Sequence, residues 1–185
     1  MTKKRINLAL QGGGAHGAYT WGVLDRFLEE NDLEVCGISG TSAGALNGAA
    51  LKAGMVKGGR QAARDNLDGL WAKVSAVGDL HLSGWMAPFG LGAISQAMAY
   101  SFPVAMSTAV TQILSPYAYG PLYRNPLQDI VEAFDYDHVC KVQGPRFFVS
   151  ATRVRDGKIR VFHGDEIGPD ALLASACLPT LFQAI

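Results

Sequence analysis

A short glycine-flanked motif carries the residue type that nucleophilic chemistry needs. It is the pentapeptide Gly40-Thr41-Ser42-Ala43-Gly44, which has the form G-x-S-x-G. At a turn between a strand and a helix, this pattern exposes its serine, and its glycines allow neighbouring backbone to approach closely. A serine hydroxyl attacks a carbonyl only when it is positioned and transfers its proton to a base. Ser42 is therefore the candidate nucleophile of an acyl-transfer site.

A glycine-rich motif upstream supplies the second requirement of acyl transfer, which is a set of donors for an oxyanion. Its sequence is Gly12-Gly13-Gly14-Ala15-His16-Gly17. Converging backbone N–H groups, such as those of Gly13 and Gly14, stabilise the negative charge of a tetrahedral intermediate. Together the two motifs predict hydrolysis of an acyl ester.

The same glycines also fit a different function, the binding of a dinucleotide. Gly12, Gly14 and Gly17 satisfy the fingerprint G-x-G-x-x-G after a candidate strand. That fingerprint requires an acidic residue at the end of the second strand, where it binds a ribose. This chain has Ser39-Gly40 there, and Glu34 lies at the other end of the strand. A dinucleotide-binding domain is therefore the disfavoured interpretation.

The spacing of apolar residues predicts the elements that would position the two motifs. A strand at residues 6–10 leads into the first motif, and a helix at residues 17–30 follows it. A strand at residues 35–38 leads into the serine motif, and a helix at residues 43–53, closed by Gly54, follows. Strand–turn–helix twice over predicts an α/β fold with a parallel sheet, whose two glycine turns open at the same edge.

The rest of the chain continues the alternation of helices and strands. Helices are predicted at residues 61–77, 127–134 and 169–176, and strands at residues 146–152 and 158–162. The two strands are separated by Asp156-Gly157, a pair typical of a hairpin turn.

Residues 80–123 differ in composition from everything around them, because they contain no Asp, Glu, Lys or Arg. Interspersed Gly and Pro argue against a single membrane span. We expect an apolar cap or insert that lines an acyl-chain pocket. Additional core and a surface that docks on lipid are the alternatives that stay open.

Composition limits the other classes of function. With 185 residues, 49% of them hydrophobic, the chain predicts a single domain. Sixteen basic and 16 acidic side chains give no net charge, so we expect no nucleic-acid partner. Three widely spaced cysteines predict neither a disulfide framework nor a zinc site. The apolar run at residues 6–10 is too short for a signal peptide, which makes the cytoplasm the default compartment.

The two motifs and three later blocks together resemble the patatin-like phospholipases. The later blocks are residues 121–127, residues 147–152 and residues 174–182, and all five occur in the family's order. The resemblance implies a three-layer α/β/α fold with a mainly parallel central sheet. It also implies lipid acyl hydrolysis of the phospholipase A, lysophospholipase or esterase type through a Ser–Asp dyad, with no metal and no cofactor.

The resemblance also assigns roles to residues of the two motifs. Ser42 is the nucleophile, and the rest of its turn is the nucleophile elbow. The resemblance assigns the oxyanion hole to the glycine loop, which comprises Gly12, Gly13, Gly14 and Gly17. It assigns the nucleophile elbow to Gly40, Thr41, Ala43 and Gly44. The family usually has Arg or Lys where this chain has His16. An imidazole there would weaken the loop's support or make it depend on pH, unless His16 is an ordinary packed or exposed residue.

The aspartate of the family's dyad has no counterpart among these residues. In the family it follows the block matched by residues 174–182, and this sequence stops at Ile185. We therefore expect the aspartate beyond residue 185, a C-terminally incomplete domain, and an inactive 185-residue chain. Asp156 is expected to serve the hairpin turn, and Asp165, Glu166 and Asp170 to lie in a loop or at a helix start. A histidine base, which would be His81, His138 or His163, stays open.

The expected partner is a lipid or acyl-ester substrate, and no protein partner is defined. Contact with a membrane surface stays open. The alternative to an enzyme is a lipid- or acyl-binding module that keeps the pocket without turnover.

Overall fold

The computed structural model describes residues 3–86, 117, 123–178 and 182–185, with side chains described up to residue 76 in the first range. The strands are β1 (Lys4–Leu10), β2 (Leu33–Gly40), β3 (Arg146–Thr152) and β4 (Ile159–His163). The helices are α1 (Gly17–Glu29), α2 (Ala43–Met86), α3 (Gln128–Glu132), α4 (Tyr136–Val139) and α5 (Pro169–Ala176). Short 3₁₀ helices lie at Gly14–His16 and Gly164–Glu166.

The four strands form one sheet in the order β1-β2-β3-β4. Strands β1, β2 and β3 are parallel, and β4 pairs antiparallel with β3. Leu10 pairs with Gly40, which in turn pairs with Val149. The carboxyl ends of β1 and β2 therefore lie side by side. The prediction of an α/β fold with a mainly parallel sheet is confirmed.

The hairpin that joins β3 to β4 is also confirmed. Gly157 has a φ of 66°, a left-handed conformation that glycine adopts without steric penalty. Asp156 accepts a hydrogen bond at Oδ1 from the N–H of Lys158 at 3.1 Å and forms an ion pair with Arg153. Its carboxylate therefore serves the turn, as the sequence predicts.

The prediction that Gly54 closes a helix is wrong. Helix α2 continues through Gly54 and is interrupted instead at Gly58 and Gly59, where Gly59 has a φ of 75°. At this interruption the helix bends back on itself. A β-carbon on Gly54 would lie 2.3 Å from the Cα of Ala63. Gly54 therefore permits close packing of the two halves of α2 and does not end the helix.

The helices pack on one face of the sheet. The ring of Phe147 lies against Gly48 of α2, where an added β-carbon would be 2.5 Å from its Cε2. The core between the sheet and these helices includes Leu10, Leu24, Ile38, Leu46, Leu67, Phe147, Val149 and Leu172. On the opposite face Phe148, Ile159 and Val161 are exposed. The described residues thus form the sheet and one helical layer of the predicted three-layer arrangement.

The expected cap at residues 80–123 falls mostly outside the described residues. Of that segment, the structure describes the last turns of α2 as backbone, together with Tyr117 and Tyr123. Helix α4 is the one described helix that the spacing of apolar residues does not predict, since it is only four residues long.

Candidate active site

Ser42 lies in a sharp turn between the end of β2 and the start of α2. It is the one non-glycine residue with a positive φ in the described part of the chain, at 55°. The turn is closed by hydrogen bonds from the N–H of Gly44 to the carbonyl of Thr41, at 2.9 Å, and from Ala45 to Ser42, at 2.8 Å. A left-handed serine is strained and persists only where its surroundings hold it. The structure therefore places Ser42 in the strand-to-helix turn that its motif predicts.

The two glycines of the serine motif are required by close backbone contacts. A β-carbon on Gly44 would lie 2.1 Å from the carbonyl oxygen of Leu10, and one on Gly40 would lie 2.6 Å from that of Gly44. Thr41 also donates its N–H to the carbonyl of Leu10 at 3.2 Å. The end of β1 therefore packs against the serine turn, which brings the glycine-rich motif close to Ser42.

Gly12 lies alongside Ser42. A β-carbon on Gly12 would lie 3.0 Å from the Cβ of Ser42 and 3.8 Å from its Oγ. Within the described residues, the N–H groups of Gly13, Gly14 and Ala43 donate no hydrogen bond. Gly13 and Gly14 directly follow Gly12 in the glycine-rich motif, and Ala43 directly follows Ser42 at the start of α2.

His16 holds the carbonyl of Gly13 by two nitrogen atoms. Its backbone N–H donates to Gly13 O at 3.1 Å, and its Nδ1 lies at the same distance from that oxygen. A hydrogen bond from Nδ1 requires the proton on that nitrogen. Because a peptide group is planar with N–H and C=O opposed, the N–H of Gly14 points away from His16. The imidazole and the backbone N–H of His16 thus both contact the carbonyl of the peptide whose N–H belongs to Gly14.

The last glycine of the loop, Gly17, is fixed to both halves of α2. The carbonyl of Gly17 accepts a hydrogen bond from Asn47 Nδ2 at 3.0 Å, and Asn47 Oδ1 accepts one from Trp71 Nε1 at 2.9 Å. Asn47 is fully buried, and the Trp71 ring leaves no room for a side chain on Gly17. The pattern of residue types does not predict this role of Asn47. Its signal is a single amide in an otherwise small and apolar stretch of helix.

The backbone of Ser42 is tied to the second half of the chain through two serines. Its N–H donates to Ser175 Oγ at 2.9 Å, and that hydroxyl donates to the carbonyl of Ser150 at 2.7 Å. The hydroxyls of Thr41 and Ser150 also lie within hydrogen-bonding distance. Ser175 belongs to one of the blocks that carry the resemblance, but the sequence alone gave it no role.

The described side chains provide no base for Ser42, whose Oγ makes no hydrogen bond within this part of the chain. His138 Nδ1 lies 2.8 Å from Asp135, the residue that precedes helix α4. His163 lies 3.8 Å from Glu166, which pairs with Arg160 at 2.5 Å. Asp165 lies in the short 3₁₀ helix after β4, and Asp170 lies in the first turn of α5. His81 belongs to the stretch of α2 without described side chains.

Cysteine is another residue type that can attack an ester. Burial raises the pKa of the Cys140 and Cys177 thiols above the ordinary value. Since the thiolate is the reactive form, both are poor nucleophiles at neutral pH. Within the described residues, no group of three or more metal-ligating side chains comes together.

The fold and the site define a class: an α/β protein that presents a serine at a strained strand-to-helix turn beside a glycine loop. Residues 8–185 match the model of the patatin-like phospholipase family, and the chain belongs to that family. Its fold is patatin-like.

Among solved structures, the chain is similar to one in the heterodimeric ExoU–SpcU complex from the type III secretion system of Pseudomonas aeruginosa. The two chains are 19% identical, with a TM-score of 0.37. The match covers 100% of this chain and 38% of the other, so this chain spans well under half of that protein's length. None of the curated proteins compared with the chain is significantly similar to it. No helix in the described residues is long and apolar enough to cross a membrane.

Proposed function

We propose that this protein hydrolyses acyl esters of lipids through a Ser–Asp dyad, with Ser42 as the nucleophile. The Ser42 hydroxyl transfers its proton to an aspartate that we propose to lie beyond residue 185, and its oxygen attacks the ester carbonyl. The carbonyl oxygen becomes an oxyanion that accepts hydrogen bonds from the N–H groups of Gly13, Gly14 and Ala43. The alcohol or lysolipid leaves with a proton, and water then hydrolyses the acyl-enzyme.

The observation that carries this proposal is the conformation of Ser42. Ser42, at the junction of β2 and α2, has a φ of 55°, which is a strained backbone conformation for a serine. Strained residues of this kind cluster at functional sites. The conformation supports the assignment because a nucleophile elbow requires it. Gly12 packs against the same serine, and the N–H groups of Gly13, Gly14 and Ala43 donate no hydrogen bond within the described residues. The N-terminus of α2 adds a partial positive charge where the oxyanion would form.

A second candidate function applies to residues 1–185 taken alone. Within the described residues, Ser42 Oγ contacts no carboxylate or imidazole. A serine without a base is a weak nucleophile. On this observation the 185-residue chain would bind a lipid or acyl chain without turning it over.

The setting of the reaction is also part of the proposal. The substrate is a lipid or acyl ester, met in the cytoplasm or at the surface of a membrane. Residues 80–123, with no charged side chain, supply the apolar lining for its acyl chain.

The test is covalent labelling of Ser42 by a fluorophosphonate, read by intact mass. The reagent is applied to the 185-residue chain, to the full-length protein and to full-length Ser42→Ala. We expect labelling and ester hydrolysis in the full-length protein alone. Retained hydrolysis in Ser42→Ala would disprove the nucleophile. Equal labelling of the short chain would place the base within residues 1–185, and labelling of neither would favour the binding module.

A further inference from the structure

Ser175 is a buried serine, 8% exposed, whose hydroxyl joins three elements. It lies on α5, donates to the carbonyl of Ser150 on β3 at 2.7 Å, and accepts from the N–H of Ser42 at 2.9 Å. A hydroxyl has one proton to donate. Since the partner on β3 is a carbonyl and the partner at the turn is an N–H, the direction of both bonds is unambiguous.

The N–H of Ser42 depends on Ser175 because α2 begins one residue later. Ser42 precedes the helix, so its N–H has no carbonyl one turn earlier to pair with. Ser42 also lies beyond the end of β2 at Gly40, so its N–H takes no part in the strand ladder. The hydroxyl of Ser175 is therefore the acceptor that fixes the peptide plane between Thr41 and Ser42. That plane in turn sets the direction of the Cα–Cβ bond that carries the Ser42 hydroxyl.

The bond has a second consequence for the chemistry. The N–H of Ser42 is already committed, so it does not serve the oxyanion. Donation to the oxyanion falls to Gly13, Gly14 and Ala43, whose N–H groups are unpaired in the described residues.

We propose that Ser175 is a positioning residue for the nucleophile: it holds the strained peptide of Ser42 in the reactive orientation through a relay to β3. The inference rests on the proposed function of Ser42, and it adds a residue that acts only through Ser42. Ser175 touches neither the substrate nor the reacting atoms.

The test compares variants of the full-length protein in the rate constant of fluorophosphonate labelling and in kcat and KM for a p-nitrophenyl ester. Ser175→Ala removes the acceptor, and Ser175→Cys keeps the side-chain volume with a weaker one. We expect Ser175→Ala to lower the labelling rate constant and kcat by about tenfold to a hundredfold, because small misplacements of a reacting group have effects of this size. KM should stay within about twofold of the wild-type value. The labelling rate constant and kcat of Ser175→Cys should lie between those of the wild type and those of Ser175→Ala.

The matched control is Ser75→Ala, which also removes a serine hydroxyl that donates to a backbone carbonyl, Trp71 O at 2.8 Å, and that makes no hydrogen bond to the turn in the described part of the chain. It should label at the wild-type rate. Wild-type labelling by folded Ser175→Ala and Ser175→Cys would overturn the inference and leave Ser42 as the nucleophile. Unfolding of both variants would overturn it too, since the role would be structural. Absence of labelling in the wild type would instead refute the proposed function.

Discussion

The candidate active site depends on backbone segments that come closer together than any side chain permits. Gly44 is the tightest of these contacts, with Leu10 O in the space that a β-carbon would occupy. The contact brings the glycine loop that follows β1 to the serine that follows β2. At the scale of single residues, this contact explains why a glycine ends the serine motif.

We predict that Gly44→Ala destabilises the protein and misplaces Ser42. The β-carbon would lie 2.1 Å from Leu10 O, and overpacking of this kind reduces the free energy of unfolding by about 1–3 kcal/mol. Urea denaturation measures the change in stability, and fluorophosphonate labelling measures the change at the serine. The matched control is Gly22→Ala on α1, where nothing lies within 4 Å. It should stabilise by about 0.5–1 kcal/mol, and equal effects of the two variants would contradict the prediction.

Much of the turn at Ser42 is predictable from residue types because its constraints are local. Glycine, serine and glycine at fixed spacing between a strand and a helix leave few conformations. Ser175 is different, since its bond to Ser42 spans 133 residues of sequence and leaves no nearby pattern. Gly54 misleads for a related reason: a glycine that ends a helix and one that admits a neighbouring helix look the same in sequence.

Two elements, α1 and α2, are joined at the site by a fully buried hydrogen-bonded pair, Asn47 and Trp71. The amide of Asn47 donates a hydrogen bond to the carbonyl of Gly17, at the start of α1. It accepts one from the indole N–H of Trp71, in the second half of α2. A single side chain thus connects the glycine loop to both halves of the kinked helix. The periodicity of apolar residues predicts the helices but not this connection, because one polar side chain in a small apolar stretch does not reveal its partners.

We predict that Asn47→Ala lowers the free energy of unfolding by about 2–4 kcal/mol, because it leaves a buried carbonyl and a buried indole N–H unpaired. Asn66→Ala is the matched control on the same helix, since Asn66 is only half-buried and donates one long bond, 3.3 Å, to Ala50 O. Its loss should be about 0.5–1.5 kcal/mol. Chemical denaturation monitored by tryptophan fluorescence gives both values. A smaller loss for Asn47→Ala than for Asn66→Ala would refute the role of the pair.

Helix α2 is also joined to the segment before β3 by a buried lysine. Lys52 of α2 is 1% exposed, and its Nζ donates to the carbonyl of Gln143, in the segment before β3. Burial lowers the pKa of Lys52 below its ordinary value of 10.5, a change that nearby Cys140 partly opposes. The folded state therefore binds this proton less readily than the unfolded state does.

We predict that this lysine makes stability rise with pH. When the folded-state pKa is the lower one, the unfolded state binds more protons between that pKa and 10.5, so the free energy of unfolding increases across this window. Lys52→Met keeps a similar volume and lacks the titration. Urea denaturation from pH 7 to pH 10 should show the wild type gaining stability relative to Lys52→Met. Parallel curves for the two proteins would contradict the assignment.

At the scale of the whole molecule, one face of the sheet is bare in the described residues. Phe148 of β3 and both Ile159 and Val161 of the edge strand β4 are exposed on this face. An exposed apolar sheet face with a free edge favours association. We therefore predict that the 185-residue chain, made alone, self-associates through this face.

Sedimentation velocity measures that association across a range of protein concentrations. Val161→Asp, on the bare face, should increase the fraction of monomer. Val142→Asp makes the same change at a 95% exposed position before β3 and should leave the monomer fraction unchanged. A wild-type chain that stays monomeric throughout would count against the prediction.

The bond between Ser42 and Ser175 also bears on the order in which the protein folds. Strand β1, helix α1, strand β2 and the start of α2 are consecutive, so the serine turn and the glycine loop form from neighbouring segments. Ser175 lies 133 residues further along, and contacts that close such long loops form late in folding. A chain emerging from the ribosome therefore builds its serine turn well before the residue that holds it. We expect the partly synthesised protein to be unreactive towards esters until α5 has docked and the aspartate proposed beyond residue 185 is in place.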